Sequence, residues 1–399
     1  MQLDLPGQPH LSYCTNIHAG ETWGEIEAAL ASHLPAVKQR ISPDRPMGIG
    51  LRLSGVAARE LAEPGQVLRF RHFLAEGGFY VFTVNAFPYG SFHGQRVKEQ
   101  VYEPDWRTPE RLRFTNQVAD LLARIAPENV DPTISTVPGA FKANVSTPSD
   151  VAAIAEGFAR AAAHLHALQR DTGRTVVLAI EPEPACFLET TNEVISFLNE
   201  HLIVGEARQL FSNITGLALA EAEQALRRHV GLCFDVCHSA VEFEETVEML
   251  KAVRAAGIAV AKIQLSSALR VSADAPEFER LLGKFDDGIY LHQTVERRNG
   301  ALTHHTDLPA AFAAARSGNA GGEWRVHCHV PVFVESYGDL GSTQQQLRDA
   351  LRLCRTQEVS PHLEVETYTW NVLPNALKSS DLVGDIVREL QWVRAELGA

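Results

Sequence analysis

Five places in the chain carry residues whose types and spacing suit chemistry. They are Glu181-Pro-Glu183, Asp235 with His238 three residues on, Gln264 with Arg270 six residues on, the pair His327 and His329, and Glu366. Three acids gathered in one dry pocket repel unless protonated or neutralised, and a divalent cation resolves that conflict. The expected ligands are Glu181, Asp235 and Glu366, with Gln264 offering a carbonyl oxygen, or His329 or His292 a nitrogen, as the fourth. Oxygen donors suit Mg²⁺ or Mn²⁺, and an added imidazole admits Zn²⁺ or Co²⁺. One such ion is expected. It would hold vicinal oxygens of a sugar or cyclitol, with Glu181 and Glu366 moving a proton, His238 binding a substrate oxygen and Arg270 stabilising negative charge. Asn16, His18, Asn85, Phe87, Tyr89, His93 and Trp370 complete the expected substrate contacts.

These residues fall at the ends of short apolar runs. Gly231–Asp235 (GLCFD) is continuous in apolar character and too short for a helix, which predicts a buried parallel strand. Similar runs are Leu11–Asn16, Met47–Leu53, Phe79–Asn85, Thr133–Val137, Val176–Ile180, Ala259–Leu265, Trp324–Phe333 and His362–Thr367. Helix-patterned segments separate them. Thr22 opens one that runs to about Arg40, and Asp150 is an expected N-cap for Val151–Arg170, closed by Gly173. The alternation predicts an α/β chain, a single (β/α)8 TIM barrel over residues 1–399, whose strand ends share one mouth. Segments 86–108 and 271–322 are expected as loops or insertions over that mouth. Nine strand candidates stand where eight are needed, so Trp324–Phe333 lies outside the barrel or an early strand is false. No GxGxxG follows the first strand, which disfavours a dinucleotide-binding fold.

Bulk properties narrow the partners. The chain has 399 residues, 45% of them apolar, and a formal net charge of −13. Such a balance disfavours nucleic acid or an anionic membrane surface as partner. Six cysteines without a CxxC pair read as reduced thiols of a cytoplasmic protein. Neither a signal peptide nor a membrane span is expected from the apolar pattern.

The strand-end Glu181, the Asp235/His238 pair and the final Glu366, in this order, resemble the xylose-isomerase-like TIM-barrel superfamily of sugar isomerases, epimerases and endonuclease-IV-type enzymes. In its ketose 3-epimerase branch a histidine is followed six residues later by an arginine. Gln264 and Arg270 keep that spacing, with Gln264 departing from the histidine. Longer segments, among them FTVNAFPYGSFHGQRVKEQVYEPDW (82–106), DVCHSAVEFE (235–244) and HLEVETYTWNVLP (362–374), are similar to the EboE family of metabolite-traffic proteins of the bacterial ebo operon. The three carboxylates and the superfamily resemblance together imply a metal-dependent isomerase or epimerase acting on a sugar, sugar phosphate or cyclitol, and the likeness to EboE implies a link to making or moving a small metabolite precursor. The alternatives are a lyase or hydrolase with extra metal on further histidines, and a barrel that carries a metabolite without turnover. A homo-oligomer and proteins of the same operon are the macromolecular partners it brings into view.

Overall fold

The computed structural model describes residues 1–92, 96–275, 277–319, 321–371, 373 and 381–399. Eight parallel strands form a nearly closed barrel: β1 (His10–Tyr13), β2 (Met47–Arg52), β3 (Phe79–Asn85), β4 (Thr133–Thr136), β5 (Val177–Ile180), β6 (Val230–Asp235), β7 (Val260–Leu265) and the last, His362–Val365. Strands β2 to β7 pair in chain order, and His362–Val365 joins β7 to β1. Between β1 and β2 there is a single parallel bridge, Cys14 to Gly50, so closure rests on one rung there. Gly50 is required at that rung: a Cβ would fall 1.6 Å from Glu364 Oε1.

Local signals set the helices between strands. Thr22 caps Trp23–Ile41 with a capping box to Glu25. The helix expected from Val151 begins earlier, at Pro148. Thr147 is its N-cap and Asp150 the third residue of the box, while Gly173, at φ 74°, ends it. An amphipathic Thr-x-x-Asp start was therefore present, three residues before the aspartate that marked it.

The ninth strand candidate lies outside the barrel. Only Glu323–Val326 of it is extended, and it joins a second, antiparallel sheet. In chain order that sheet contains β8 (Leu269–Ser272), β9 (Thr294–Arg298), β10 (Ala301–His305), β11 (Glu323–Val326), β12 (Ser336–Tyr337) and β13 (Leu340–Ser342), and the closing barrel strand is β14 (His362–Val365). The β9–β10 turn is Asn299-Gly300, both at positive φ (52° and 83°), as a tight hairpin demands. Trp324 is fully buried beside Phe278 and Phe312 and anchors the sheet. His327 and His329 thus follow a strand rather than sit within one. Their segment is sewn back onto the barrel mouth by His327 N–H to Gln293 O and Val330 N–H to Ser267 O.

No described helix is long and apolar enough to cross a membrane. All six cysteines are buried and unpaired.

Candidate metal centre and its pocket

Three carboxylates and three imidazoles converge at the C-terminal ends of the strands. Glu181 follows β5, Asp235 ends β6 and Glu366 follows β14, and one oxygen from each lies within 4.8 Å of the others. All three are buried. Asp235 plays two parts. Its Oδ1 caps the short helix Val236–Val241, accepting from His238 N–H (3.0 Å) and from Ser266 Oγ (2.7 Å). Its Oδ2 has no hydrogen-bond partner, nor has Glu181 Oε2.

The histidines are oriented from behind. His238 Nδ1 donates to Pro182 O (2.8 Å) and His329 Nδ1 to Glu366 O (3.0 Å); both acceptors are carbonyls, so both Nδ1 atoms carry the proton. His327 Nδ1 meets Gln293 Oε1 at 2.8 Å. The amide end of Gln293 is fixed by Pro184 O and Glu183 Oε1, both acceptors, so His327 too donates from Nδ1. Each ring therefore presents its Nε2 lone pair inward. His238 Nε2 is 3.1 Å from His327 Nε2 and 3.4 Å from His329 Nε2. Asp235 Oδ2 lies 4.0 Å from the first ring and 3.9 Å from the third. Outer acceptors that fix imidazole tautomers this way are the usual support of metal-ligating histidines.

Electrostatics agree with that arrangement. Burial pushes His238 down to about 4, against the pull of Asp235, and lowers His327 and His329 as well. Neutral rings are thus favoured. Burial, then the neighbouring acids, raise Glu181 and Glu366 well above the carboxylate range. Burial would raise Asp235 too, but the His238 and His329 rings and its two donors outweigh it and hold it below its ordinary value. Buried lone pairs and acids of this kind, with orphaned oxygens aimed among them, fit a divalent cation.

Glu366 is held by amides: Asn16 Nδ2 (2.7 Å) and Asn85 Nδ2 (3.0 Å) on Oε1, and Gln264 Nε2 on Oε2. Gln264 accordingly points its NH₂ at the carboxylate while its carbonyl accepts from Cys233 Sγ (3.0 Å), so the expected carbonyl ligand is replaced by a donor. His329 Nε2 instead lies 3.9 Å from Asp235 Oδ2. Asn16, Asn85 and Phe87 line the cavity at this centre, as do Glu183, His327, Tyr290 and Tyr368. The cavity volume is about 60 Å³.

Other expected contacts stand elsewhere. Arg270 projects from β8 and is exposed, since β8 pairs with β11 and β13 rather than entering the mouth. His18 bonds Tyr13 OH (2.9 Å) and stacks on His33, a packing role set by the helix behind β1. Tyr89 turns away onto Phe114 and Arg59. Trp370 packs on Phe333 with its Nε1 3.4 Å from Glu389. His93 lies outside the described residues.

Residues to which sequence reasoning gave no role are Glu183, Tyr102, Gln293 and Lys98. Tyr102 OH and Gln293 Nε2 both donate to Glu183 Oε1 (2.7 and 3.1 Å), and burial pushes this acid up to about 7. Lys98 and Tyr290 close the roof. Val97 N–H and Lys98 N–H both donate to Ile289 O, Lys98 Nζ bonds Asp307 Oδ2 (2.6 Å) and Tyr290 O (2.7 Å), and Tyr290 OH donates to Phe92 O. Below the centre lies a fully buried ion pair, Lys262 Nζ to Glu364 Oε2 at 2.5 Å.

No family model matches the chain, and no curated protein does. Solved structures match over nearly its whole length. A xylose isomerase-like TIM barrel protein from Mycobacterium smegmatis, in complex with magnesium, has a TM-score of 0.50 at 11% identity, covering 99% of this chain and 97% of that one. The probable 3-DHS dehydratase AsbF from Bacillus anthracis has a TM-score of 0.45 at 12% identity (96% and 97% covered). The IOLI protein with a bound zinc atom has a TM-score of 0.41 at 11% identity (97% and 97% covered). The fold is that of a xylose-isomerase-like barrel.

Proposed function

We propose that the chain is a divalent-metal-dependent enzyme of the isomerase or epimerase type, acting on a sugar, sugar phosphate or cyclitol at the barrel mouth. The observation that carries this reading is the convergence of three Nε2 lone pairs beside two orphaned carboxylate oxygens, Asp235 Oδ2 and Glu181 Oε2. Glu181, Asp235, Glu366 and His329 would hold the cation, with His238 and His327 adjoining. Imidazole in the donor set favours Zn²⁺, Co²⁺ or Mn²⁺ over Mg²⁺. A bound divalent ion would draw vicinal substrate oxygens to its open side and acidify the neighbouring C–H. Glu366, clamped by three amides, keeps one orientation through turnover. Glu181, with an oxygen outside any hydrogen bond, is placed to take a proton. His238 presents a neutral acceptor to a substrate hydroxyl.

The resemblance to the EboE family supports a place in making or moving a small metabolite precursor, with proteins of the same operon, or a second copy of the chain, as partners. Metal-loaded protein is expected to exchange deuterium from D₂O into a carbon position of a sugar or cyclitol. The reading is abandoned if purified protein retains no divalent metal and Asp235→Ala leaves every activity and ligand affinity unchanged.

A second reading draws on the histidines. The cluster of Asp235, His238 and His329 is a donor set beside that of Glu181, Asp235 and Glu366. Two ions would suit a hydrolase or lyase, and metal stoichiometry separates the readings: one ion per chain for the isomerase, two or more for hydrolysis. Tight ligand binding without exchange would mark the carrier.

A further inference from the structure

The cavity has two unlike walls. One is the carboxylate and imidazole wall just described. The other is aromatic and aliphatic: Phe87, Phe92, Val101, Tyr290 and Tyr368. Three of these rings form a mutual cluster, with centroids 5.0 Å apart for Phe92 and Tyr290, and 5.3 Å for each of the other two pairs. Tyr368 in turn lies over His329 at 4.8 Å, so the aromatic wall abuts the ligand wall directly.

The charge of the lining is equally lopsided. Among the described residues, Glu181, Glu183 and Glu366 line it with a single lysine, Lys98. Lys98 is committed to Asp307 and the Tyr290 carbonyl. Asp307 is itself fixed, its Oδ1 accepting from His292 N–H and Leu308 N–H at 3.0 Å each. Arg52 reaches Phe92 from outside, 5.8 Å from the ring, but its guanidinium is spent on Glu21 (2.8 Å) and Gly20 O (2.7 Å). Apart from the proposed ion, whose charge the ligand acids offset, a phosphate ester entering here would meet no uncommitted cation of the described lining, unlike the Arg-, Lys- or helix-terminal cradles that bind phosphate. A ring with axial hydrogens on one face would instead cover the aromatic wall while its hydroxyls met the polar one.

Resting on the metal-centre reading above, we infer that the substrate is an uncharged ring polyol, a cyclitol or unphosphorylated sugar, which lays its apolar face on Phe92 and Tyr290 and turns one oxygen-bearing edge to the carboxylates. The phosphorylated members of the class are excluded by the Lys98–Asp307 clasp.

The test is calorimetric titration of the full chain, metal-loaded and metal-stripped, with myo-inositol and D-glucose and with the monophosphate of each. A neutral ring is expected to bind at least tenfold more tightly than its phosphate. Tyr290→Leu and Phe92→Leu are expected to weaken the neutral ring about tenfold, in line with a lost stacking partner, with metal content unchanged. Asp307→Asn removes the carboxylate and keeps the lysine, so it should raise affinity for the phosphate. Phosphates that bind as tightly as the neutral rings, or no binding by either neutral ring, would overturn the inference. An Asp307→Asn protein with unaltered phosphate affinity would remove the clasp as its cause. Metal content, measured on the same samples, separates this failure from that of the metal-centre reading, which falls only if no ion is retained.

Discussion

His238 Nε2 and His327 Nε2 face each other at 3.1 Å although both rings have their proton on the opposite nitrogen. Two lone pairs at that separation repel unless a positive centre lies between or beside them. For bonds of 2.0–2.1 Å, two nitrogens on one tetrahedral zinc ion stand about 3.4 Å apart. The 3.1 and 3.4 Å spacings around His238 lie near that separation, so a cation beside the three Nε2 atoms would relieve the repulsion.

Gln293 is the residue that sets the His327 tautomer, because its carbonyl accepts from Nδ1 while its amide is tied to Glu183 and Pro184. Gln293→Leu keeps the bulk and removes the acceptor. Zinc affinity, measured by competition with a chromogenic chelator, should fall about 10–100-fold, the range for lost outer-shell support. Unchanged affinity would mean that His327 lends the centre no support.

Metal should also stabilise the fold, since Asp235 Oδ2 is buried with no hydrogen-bond partner and the three buried Nε2 atoms face one another. At free metal one hundred times the dissociation constant, linkage adds about 2.7 kcal/mol. A rise in Tm with added Zn²⁺ or Mn²⁺, reversed by chelator and absent in His238→Ala, is the expected result. A Tm indifferent to metal would contradict it.

The barrel was legible from the strands because a parallel sheet covered on both faces writes continuous apolar runs ending in polar residues. Eight of the nine candidates pair as expected. Glu181, Asp235 and Glu366 could be chosen because each is the first carboxylate at such an end. Arg270 could not be placed correctly, because six residues of spacing say nothing of a chain that leaves the barrel after β7 and pairs antiparallel. His18 and Trp370 have residue types suited to binding but pack against their own surroundings. Lys262 and Glu364 were readable in principle: they lie two residues before Gln264 and Glu366, so strand alternation puts all four on the inner face.

That alternation places a charged layer directly under the site. Lys262 and Glu364 are both fully buried, and Glu364, beside Lys262, lifts the lysine above its ordinary value against the effect of burial. Lys262→Met alone leaves a buried acid unpaired and should cost about 3–5 kcal/mol, while Lys262→Met with Glu364→Leu should recover most of it. Urea midpoints at constant m would report both. A single mutant as stable as the parent would show that water or another cation serves Glu364.

Glu389, on the helix Leu382–Leu397, ties together the two segments that bear Glu366 and His329. Its Oε1 accepts from Thr367 Oγ1 (2.6 Å) and Val332 N–H (3.2 Å), and its Oε2 lies 3.4 Å from Trp370 Nε1. Burial pushes its carboxyl up to about 7, opposed by those three donors and aided by Asp385. An acid whose folded-state value is raised binds its proton more tightly when folded. Its stabilising contribution is therefore complete below the ordinary carboxylate value near 4.5 and is lost as pH rises through about 7. At 1.36 kcal/mol per unit the loss is on the order of 3 kcal/mol. Glu389→Gln, which fixes the neutral form, should abolish it. The difference in unfolding free energy, mutant minus parent, is expected to grow from pH 5 to pH 8 and level off above. A difference that stays flat over that interval would mean that Glu389 is ionised in the folded protein throughout, and that its tether to Thr367 and Val332 does not weaken with pH.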